Sequence, residues 1–353
     1  MHNYIVSESW GKINDQEIHL YRLRNANNVT ITLTNFGASI QSIIVPDKNG
    51  DFDDIALGYD NLQGYIDDPF YMGAIVGRFA NRIAGGLVKL DGKEHQLTVK
   101  EGGFHHHGGK VGFNKKAWKS APVNGTQAVK MEYLSPDGEE GFPGNLEVTV
   151  LYTLNDQDQL IVDFTARTDK STLINLTQHS YFNLAGHNNG SIANHQLMLP
   201  LSTYLPVNKM HVPKGEPALV SGTPFDFRKP VAIGKRIEAD DEQLKLGYGY
   251  DHTWVIKNNH SSDLKLAARV FEPDNGRVMN VYTTEPSIHL YTGNFLDGSL
   301  AGKNDANYSR RSGFCLETQH YPDAPNQPHF PSTVLRPGEI FSSKTIFEFG
   351  VSK

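Results

Sequence analysis

A polar run near the middle of the chain has the residue types needed for proton transfer. Gln178, His179 and Asn183 lie between Leu176 and Leu184, so amide and imidazole groups interrupt an otherwise apolar stretch. The ordinary pKa of histidine, ~6.5, permits proton transfer in both directions near neutral pH. The alternative is a buried, hydrogen-bonded histidine without a chemical role, and His179 by itself does not decide between the two.

A carboxylate at the end of an apolar run is a second candidate. Glu317 follows Phe314-Cys315-Leu316 and precedes a proline-rich stretch that begins at Tyr321. Burial of a carboxylate is costly unless the group is paired or functional, although exposure at a strand end would remove that cost. An imidazole and a carboxylate together would suit general acid–base catalysis.

Donors suited to hydroxyl groups occur in the segment Gly77-Arg78-Phe79-Ala80-Asn81-Arg82-Ile83. Arginine and asparagine present planar N–H donors that fit hydroxyl and carbonyl-type oxygens. Arg78 and Arg82 could each instead be a structural arginine, bonded to the carbonyl groups of a loop.

Two further stretches combine imidazole groups with glycine or aspartate. Glycine pairs flank His105-His106-His107. Neighbouring side chains of an extended segment point to opposite faces, so His105 and His107 could share a metal but His106 could not. No carboxylate accompanies them at close spacing, and we expect no metal site. Asp251, at the start of another apolar strand, could accept two sugar hydroxyls or cap a turn.

The composition argues against several classes of function. The 353 residues carry a formal net charge of −6, without the basic excess that binding to a nucleic-acid backbone requires. Cys315 is the single cysteine, which rules out an internal disulfide and fits a reducing compartment. The sequence contains no Gly-x-Ser-x-Gly elbow, phosphate loop or dinucleotide fingerprint. We see no leader-like N-terminus and no apolar run of ~18 residues, and expect a cytoplasmic protein without a membrane partner.

Hydrophobic alternation with a period of two predicts the elements that must position these residues. In 29–34 aliphatic residues alternate with threonines, which predicts a strand with one buried and one polar face. Segments 146–154 and 160–167 predict a hairpin around a loop at 155–158. Further strands are predicted at 38–45, 87–99, 264–271, 278–284, 287–292, 313–318 and 340–349. A short helix is predicted within 237–246.

These patterns predict an all-β fold, a large antiparallel multi-sheet β-sandwich. No linker-like segment or repeat of fixed period divides the chain. We therefore expect one domain over residues 1–353, with the chemistry on loops and on one concave sheet face.

Taken together and in order, the polar stretches resemble the aldose 1-epimerase (galactose mutarotase) family over nearly the whole chain. Each fragment alone is weak, but the ordered set is specific. The matching pieces are Asn35-Phe36-Gly37-Ala38, Gly77-Arg78-Phe79-Ala80-Asn81-Arg82-Ile83, His107-Gly108-Gly109, Gly141-Phe142-Pro143-Gly144, Asn175-Leu176-Thr177-Gln178-His179-Ser180-Tyr181-Phe182-Asn183-Leu184, Tyr250-Asp251-His252, Tyr291-Thr292-Gly293-Asn294-Phe295, Leu316-Glu317-Thr318-Gln319 and Leu335-Arg336-Pro337-Gly338-Glu339.

The resemblance implies a galactose mutarotase-like supersandwich that interconverts the α and β anomers of free aldohexoses, in hexose and galactose metabolism, without a cofactor or metal. It implies His179 as general acid and Glu317 as general base. The residues implied to hold the sugar are Asn81, Arg82, His107 and Asp251, with Arg78 as the less favoured arginine.

The sequence departs from the family pattern at two places. Gly103-Phe104-His105-His106 stands where an asparagine and a leucine are usual. Glu285 stands where some relatives carry a sugar-contacting glutamine, which makes it a further substrate-binding candidate. Two other functions remain open: a sugar-binding or regulatory protein without turnover, and a mutarotase for a phosphorylated hexose. The expected partner is a small aldose, and the expected assembly is a monomer or a homodimer.

The implied reaction fits the residue types. Mutarotation needs one proton delivered to the ring oxygen and one removed from the anomeric hydroxyl, and the two groups exchange roles on ring closure. A glycosidase would want two carboxylates instead of a histidine and a carboxylate.

Overall fold

Most of the period-two segments form β-strands. The computed structural model describes residues 5–100, 102–256 and 263–352. Residues 1–4, on which the prediction about the N-terminus partly depends, lie outside the described residues. No helix within the described ranges combines the length and the apolar character needed to cross a membrane.

The strands are short and follow one another closely along the chain. The first ten are β1 (Val6–Ile13), β2 (Gln16–Arg24), β3 (Thr30–Thr34), β4 (Ser39–Pro46), β5 (Phe52–Asp54), β6 (Ile75–Val76), β7 (Arg82–Ala84), β8 (Leu87–Leu90), β9 (Lys93–Gln96) and β10 (Phe104–His106). The next ten are β11 (Lys119–Pro122), β12 (Ala128–Ser135), β13 (Leu146–Leu154), β14 (Gln159–Thr168), β15 (Thr172–Leu173), β16 (Thr177–Gln178), β17 (Gln196–Met198), β18 (Thr203–Leu205), β19 (Ala218–Leu219) and β20 (Val231–Ala232). The last are β21 (Asp251–Val255), β22 (Lys265–Phe271), β23 (Arg277–Thr283), β24 (Ser287–Tyr291), β25 (Cys315–Gln319), β26 (Val334–Leu335) and β27 (Phe341–Val351).

The helices of the described residues are few and short. The two α-helices are α1 (Leu62–Asp67) and α2 (Glu242–Gly247), and α2 lies within the segment predicted to be helical. The Asp241 side chain caps α2 by accepting from the backbone N–H groups of Gln243 and Leu244. The 3₁₀ turns are Phe113–Lys115, Glu139–Gly141, Ile192–Asn194, Ile233–Lys235, Lys303–Asp305 and Ala324–Asn326.

Three larger sheets carry the architecture. One has nine strands in the order β11-β12-β13-β14-β27-β23-β22-β17-β20. The other two have five strands each, in the orders β1-β2-β3-β4-β5 and β19-β18-β21-β24-β25. The pairs β7–β10, β8–β9, β6–β16 and β15–β26 form small two-stranded sheets. Neighbouring strands pair antiparallel, as the sequence predicts.

The predicted hairpin is confirmed. Strands β13 and β14 pair from Leu146 opposite Thr168 to Leu154 opposite Leu160, and the chain turns at 155–158. Inward-facing residues of β13 are buried and alternate with more exposed ones. They join a core cluster that also contains Leu33 of β3 and Trp254 of β21, so all three larger sheets contribute to it.

The polar face predicted for β3 consists of threonines, but it is buried as well. Thr30, Thr32 and Thr34 are only 9%, 5% and 0% exposed, so both faces of the strand are buried. The threonine methyl groups allow this burial, while the alternation correctly predicts the strand itself.

Candidate active site

Three neighbouring strands bring charged and imidazole side chains to one face of a sheet. Asp251 begins β21, His289 lies in the middle of β24, and Glu317 lies in the middle of β25. The register places Thr253 opposite His289 and His289 opposite Glu317. Because side chains alternate along a strand, Asp251, His289 and Glu317 share this face.

A second wall comes from the short sheet of β7 and β10. The His107 N–H donates to the Asn81 carbonyl at 3.2 Å, and the Asn81 N–H donates to His107 Nδ1 at 3.1 Å. This double link fixes the ring of His107. A Cβ on Gly108 would lie 1.8 Å from the Gly77 carbonyl oxygen, so the chain can approach this closely only with glycine at that position.

His179 follows β16 and faces Glu317. Its backbone N–H donates to the Ala74 carbonyl at 2.9 Å, and its own carbonyl accepts from the Gly73 N–H at 3.0 Å. His179 Nε2 lies 3.6 Å from Glu317 Oε1, and both side chains are buried. The other ring nitrogen, Nδ1, lies 3.7 Å from the Sγ atom of Cys315.

These walls enclose a cavity of about 140 Å³. It could hold on the order of ten waters, which suits a ligand the size of one sugar ring. Six residues singled out in the sequence line it: Asn81, Arg82, His107, His179, Asp251 and Glu317. The structure therefore brings together side chains that are up to 236 positions apart in the chain (317 − 81).

Several lining residues escaped sequence reasoning. The cavity is also lined by Tyr71, His106, Tyr181, His289, Tyr291 and Phe295. A signal for His289 was present, because a histidine two positions before Tyr291 in an apolar strand must share that residue's face. Nothing in the sequence marks Tyr71, which lies outside any strand in a backbone conformation with φ of +61°.

The predicted alternation of the three histidines is wrong. His106 and His107 both line the cavity, with ring centroids 3.8 Å apart. His105 points away, packs against Phe142 and bonds the Thr98 carbonyl through Nδ1 at 2.8 Å. Strand β10 ends at His106. The next residue, His107, adopts a φ of +48°, so the alternation of an extended segment stops there.

Asp251 is held ionised by its neighbours. Its Oδ1 accepts from His289 Nε2 at 2.8 Å, and its Oδ2 lies 3.6 Å from both Arg82 Nη2 and His211 Nδ1. Burial by itself would raise the pKa of Asp251, but these three neighbours outweigh it and bring that pKa well below the usual range. Asp251 therefore presents a carboxylate to the cavity.

His107 presents a neutral ring. Burial lowers the pKa of His107 well below its usual range, with the nearby His106 and His179 adding to the effect. Nδ1 of His107 accepts the Asn81 N–H, so the neutral ring carries its proton on Nε2 and donates from there.

Comparison with known proteins agrees with this geometry. The family model for aldose 1-epimerase matches residues 19–348. The galactose mutarotase of Homo sapiens is 46% identical over 322 residues, which cover 91% of each chain. The aldose 1-epimerase of Escherichia coli (strain K12) is 37% identical over 336 residues, covering 95% of this chain and 96% of the relative.

This chain belongs to the aldose 1-epimerase family. The crystal structure of galactose 1-epimerase from Lactobacillus acidophilus NCFM superimposes on it with a TM-score of 0.88 at 27% identity, over 99% of both chains. The fold is accordingly of the galactose mutarotase-like type predicted from the motifs. The protein is an isomerase that acts on carbohydrates.

Two of the predicted sugar ligands lie outside the cavity of this family member. Arg78 is 2% exposed, and its guanidinium donates to the carbonyls of Ser135, Pro143 and Gly144 at 3.0–3.1 Å. Burial lowers the pKa of Arg78 to about 10, so it stays charged at neutral pH. Glu285 is buried beside His320, which bonds its Oε2 through Nδ1 at 2.7 Å. At both positions, partners distant in the chain take up polar atoms that the sequence left available for a ligand.

We expect Arg78→Met to destabilise the protein strongly. Several buried acceptors would lose their donors at about 1–3 kcal/mol each, so the free energy of unfolding should fall by at least ~3 kcal/mol in a denaturant titration. The matched variant Arg82→Met should cost less stability and instead raise KM, because Arg82 lines the cavity. Equal stability of the two variants would contradict the structural role of Arg78.

Three lining residues also have the donor types of a metal site. One ligand atom from each of His107, His179 and Glu317 lies within 4.8 Å of the others. A metal, however, needs a ring nitrogen with a free lone pair. The Asn81 N–H occupies Nδ1 of His107, which leaves the proton on the nitrogen that faces the cavity. The arrangement thus favours hydrogen bonding to a ligand over metal coordination.

Proposed function

We propose that the protein interconverts the α and β anomers of a free aldohexose by opening and closing the sugar ring, with His179 as acid and Glu317 as base. The observation that carries the proposal is their placement in one small cavity, with Nε2 and Oε1 3.6 Å apart. Relatives named galactose mutarotase support galactose as a substrate. We propose glucose as a second substrate.

The proposed reaction is a reversible pair of proton transfers. Nε2 of His179, in its protonated imidazolium form, gives a proton to the ring oxygen and becomes neutral, while the Glu317 carboxylate takes one from the anomeric hydroxyl. The bond between the ring oxygen and C1 breaks, and C1 becomes an aldehyde. After rotation about C1–C2, the ring oxygen attacks the other face of C1, and both protons return. The two groups end as they began, so no covalent intermediate or cofactor is required.

The surroundings of His179 leave Nε2 for the proton transfer. Nε2 faces Glu317, whereas Nδ1 lies beside the sulfur of Cys315. In the protonated ring both nitrogens donate, so Nδ1 can bond the sulfur, a weak acceptor, while Nε2 carries the proton that is transferred.

The base has an oxygen without a protein partner. Glu317 Oε2 makes no hydrogen bond within the described part of the chain, although it is buried. Buried polar atoms normally have partners, so an unpaired carboxylate oxygen beside a cavity is consistent with one supplied by the ligand.

Hydrogen bonds on the opposite wall would hold the sugar. In the proposed complex the Asp251 carboxylate accepts from sugar hydroxyls, and Arg82 and Nε2 of His107 donate to them. Asn81 adds its side-chain amide. The amide oxygen accepts the Arg82 backbone N–H at 2.9 Å, and the amide N–H₂ makes no hydrogen bond to the residues that the structure describes.

Charge favours a neutral sugar over a phosphorylated one. Arg82 is the one Arg or Lys side chain among the described residues that line the cavity, and it lies beside the Asp251 carboxylate. A phosphate group normally requires several uncompensated donors or cations. A binding protein without turnover is disfavoured because the acid and the base are both present and face each other.

We expect Asp251→Asn to weaken sugar binding. A hydrogen bond to a charged group contributes about 1.5–3 kcal/mol, so KM should rise roughly tenfold to a hundredfold with a smaller change in kcat. Initial mutarotation rates over a range of galactose concentrations measure both constants. An unchanged KM would remove Asp251 from the sugar-binding set.

The same variant should change the response of stability to acid. The pKa of Asp251 in the fold lies below that of an unfolded aspartate, ~3.9, so its ionisation stabilises the fold fully above that value. This contribution is lost as the pH falls through the folded pKa. The stability difference between wild type and Asp251→Asn should therefore shrink below about pH 4 in denaturant titrations. A difference that grows in acid would contradict this assignment.

Polarimetry of freshly dissolved sugars tests the function. The protein should accelerate the approach of α-D-galactose to its equilibrium rotation and leave galactose 6-phosphate near its spontaneous rate. Faster conversion of the phosphorylated sugar would favour the alternative substrate. Calorimetric binding of galactose without acceleration would favour the binding protein.

We further propose that residues 1–353 act as one domain in the cytoplasm, as a monomer or a homodimer. The continuity of one core cluster from Tyr21 to Phe349 supports a single domain. The buried free thiol of Cys315 is compatible with a reducing compartment.

A further inference from the structure

His106 lines the cavity and is absent from the proposed mechanism. It lies opposite Arg82 in the pairing of β10 with β7. Its ring centroid is 3.8 Å from that of His107 and 6.1 Å from that of Tyr71, so it belongs to the wall that faces Glu317 and Asp251.

The ring nitrogens of His106 differ from those of the other lining histidines. His289 uses both nitrogens, one to Asp251 and the other to Thr253 at 2.8 Å. His107 uses Nδ1 to accept the Asn81 N–H, and His179 has Cys315 beside its Nδ1. Among the described residues, no hydrogen bond or ion pair involves the ring of His106. This ring instead contacts the rings of Tyr71, Phe104 and His107.

The protonation state of the His106 ring suits an uncharged ligand. Burial lowers the pKa of His106 well below its usual range, and the positive Arg82 and Lys100 add to the effect. A neutral imidazole offers one N–H donor and one acceptor nitrogen, as a sugar hydroxyl also does. The ring can therefore exchange hydrogen bonds with a hydroxyl in either direction.

We propose that His106 is a specificity-determining residue that hydrogen bonds one hydroxyl of the sugar, away from the anomeric centre. The inference rests on the proposed function, because it assigns the ligand of the same cavity. A site that bonds a particular hydroxyl discriminates against sugars that lack it or carry it in the other configuration. His106 thus helps to decide which aldoses the enzyme accepts, while His179 and Glu317 perform the proton transfers.

Three variants separate this role from a structural one. In His106→Leu an apolar side chain packs against Tyr71 and His107, but both ring nitrogens that can form hydrogen bonds are removed. His106→Gln restores a donor and an acceptor. The matched control is His105→Leu, since His105 lies next in sequence but packs against Phe142 outside the cavity.

We expect His106→Leu to raise KM for galactose roughly two- to tenfold, the value of one hydrogen bond, with kcat changed less. His106→Gln should recover part of the loss. His105→Leu should leave KM unchanged when rates are referred to folded protein. Equal KM values for wild type and His106→Leu, or an equal rise in His105→Leu, would overturn the proposal.

Monodeoxy derivatives of galactose, lacking the hydroxyl at C2, C3, C4 or C6, identify the contact. One of them should lose kcat/KM with wild type yet be affected little by His106→Leu, because the bond is already absent. If His106→Leu lowers kcat/KM by the same factor for galactose and for every derivative, the residue is structural and the proposal fails. Wild type that accelerates none of these sugars would instead reject the proposed function.

Discussion

Glu317→Gln should lower kcat by about 10²–10⁴-fold, the usual contribution of one proton-transfer group. Glutamine keeps the shape of the side chain but cannot take the proton from the anomeric hydroxyl. The fold should be retained, since a neutral amide costs less to bury than a carboxylate at this 1% exposed position. Initial rates of mutarotation and a thermal melt measure the two effects separately.

Glu285→Gln is the matched control. Glu285 is also a buried glutamate, but it lies beside His320 and outside the cavity. Its substitution should leave kcat near that of wild type, even if stability falls. Near wild-type turnover in Glu317→Gln would remove Glu317 from the mechanism. A large loss of kcat in Glu285→Gln would mean that replacing a buried carboxylate lowers activity by disturbing the fold.

His179→Asn should cause a loss of similar size, about 10²–10⁴-fold in kcat. The amide can still donate a hydrogen bond but cannot release and recover a proton near neutral pH. Because the ring packs beside Tyr71 and Tyr181, with centroids 5.8 and 5.3 Å away, the variant should also lose some stability. Kinetics below the melting transition keep the two effects apart.

The double variant gives a sharper result than either single one. Acid and base serve the same transition state, so His179→Asn combined with Glu317→Gln should be little slower than the single variants. Losses that multiply would indicate two independent roles. His187→Asn is the control for histidine loss, because His187 is buried against Tyr308 and does not line the cavity.

The strands were predictable because their signal is local. The alternation in 146–154 and 160–167 specifies which side chains face the core, and the polar loop between them forces the chain to return. The same reasoning predicted the strand at 313–318 that carries Glu317, but it left open whether this side chain is buried or exposed. Helix α1 has no comparable apolar periodicity and was not predicted.

Which of several similar residues lines the cavity was less predictable, because it depends on partners distant in the chain. Arg78 and Arg82 lie in one motif. The Arg78 guanidinium donates to the carbonyls of Ser135 and Gly144, whereas Arg82 faces Asp251. Glu285 likewise pairs with His320, and His289 lines the cavity. The +48° φ of His107 ends the alternation after His106, so both rings line the cavity, and this cannot be read from three identical residues.

Exchange of the anomeric protons at equilibrium tests the central claim most directly. In a two-dimensional NMR exchange spectrum of galactose, wild-type protein should produce cross-peaks between the α and β anomeric signals on a timescale where sugar alone shows none. Glu317→Gln at the same concentration should suppress them, and Glu285→Gln should retain them. Cross-peaks that are absent with wild type, or that persist undiminished with Glu317→Gln, would contradict ring opening by the His179–Glu317 pair.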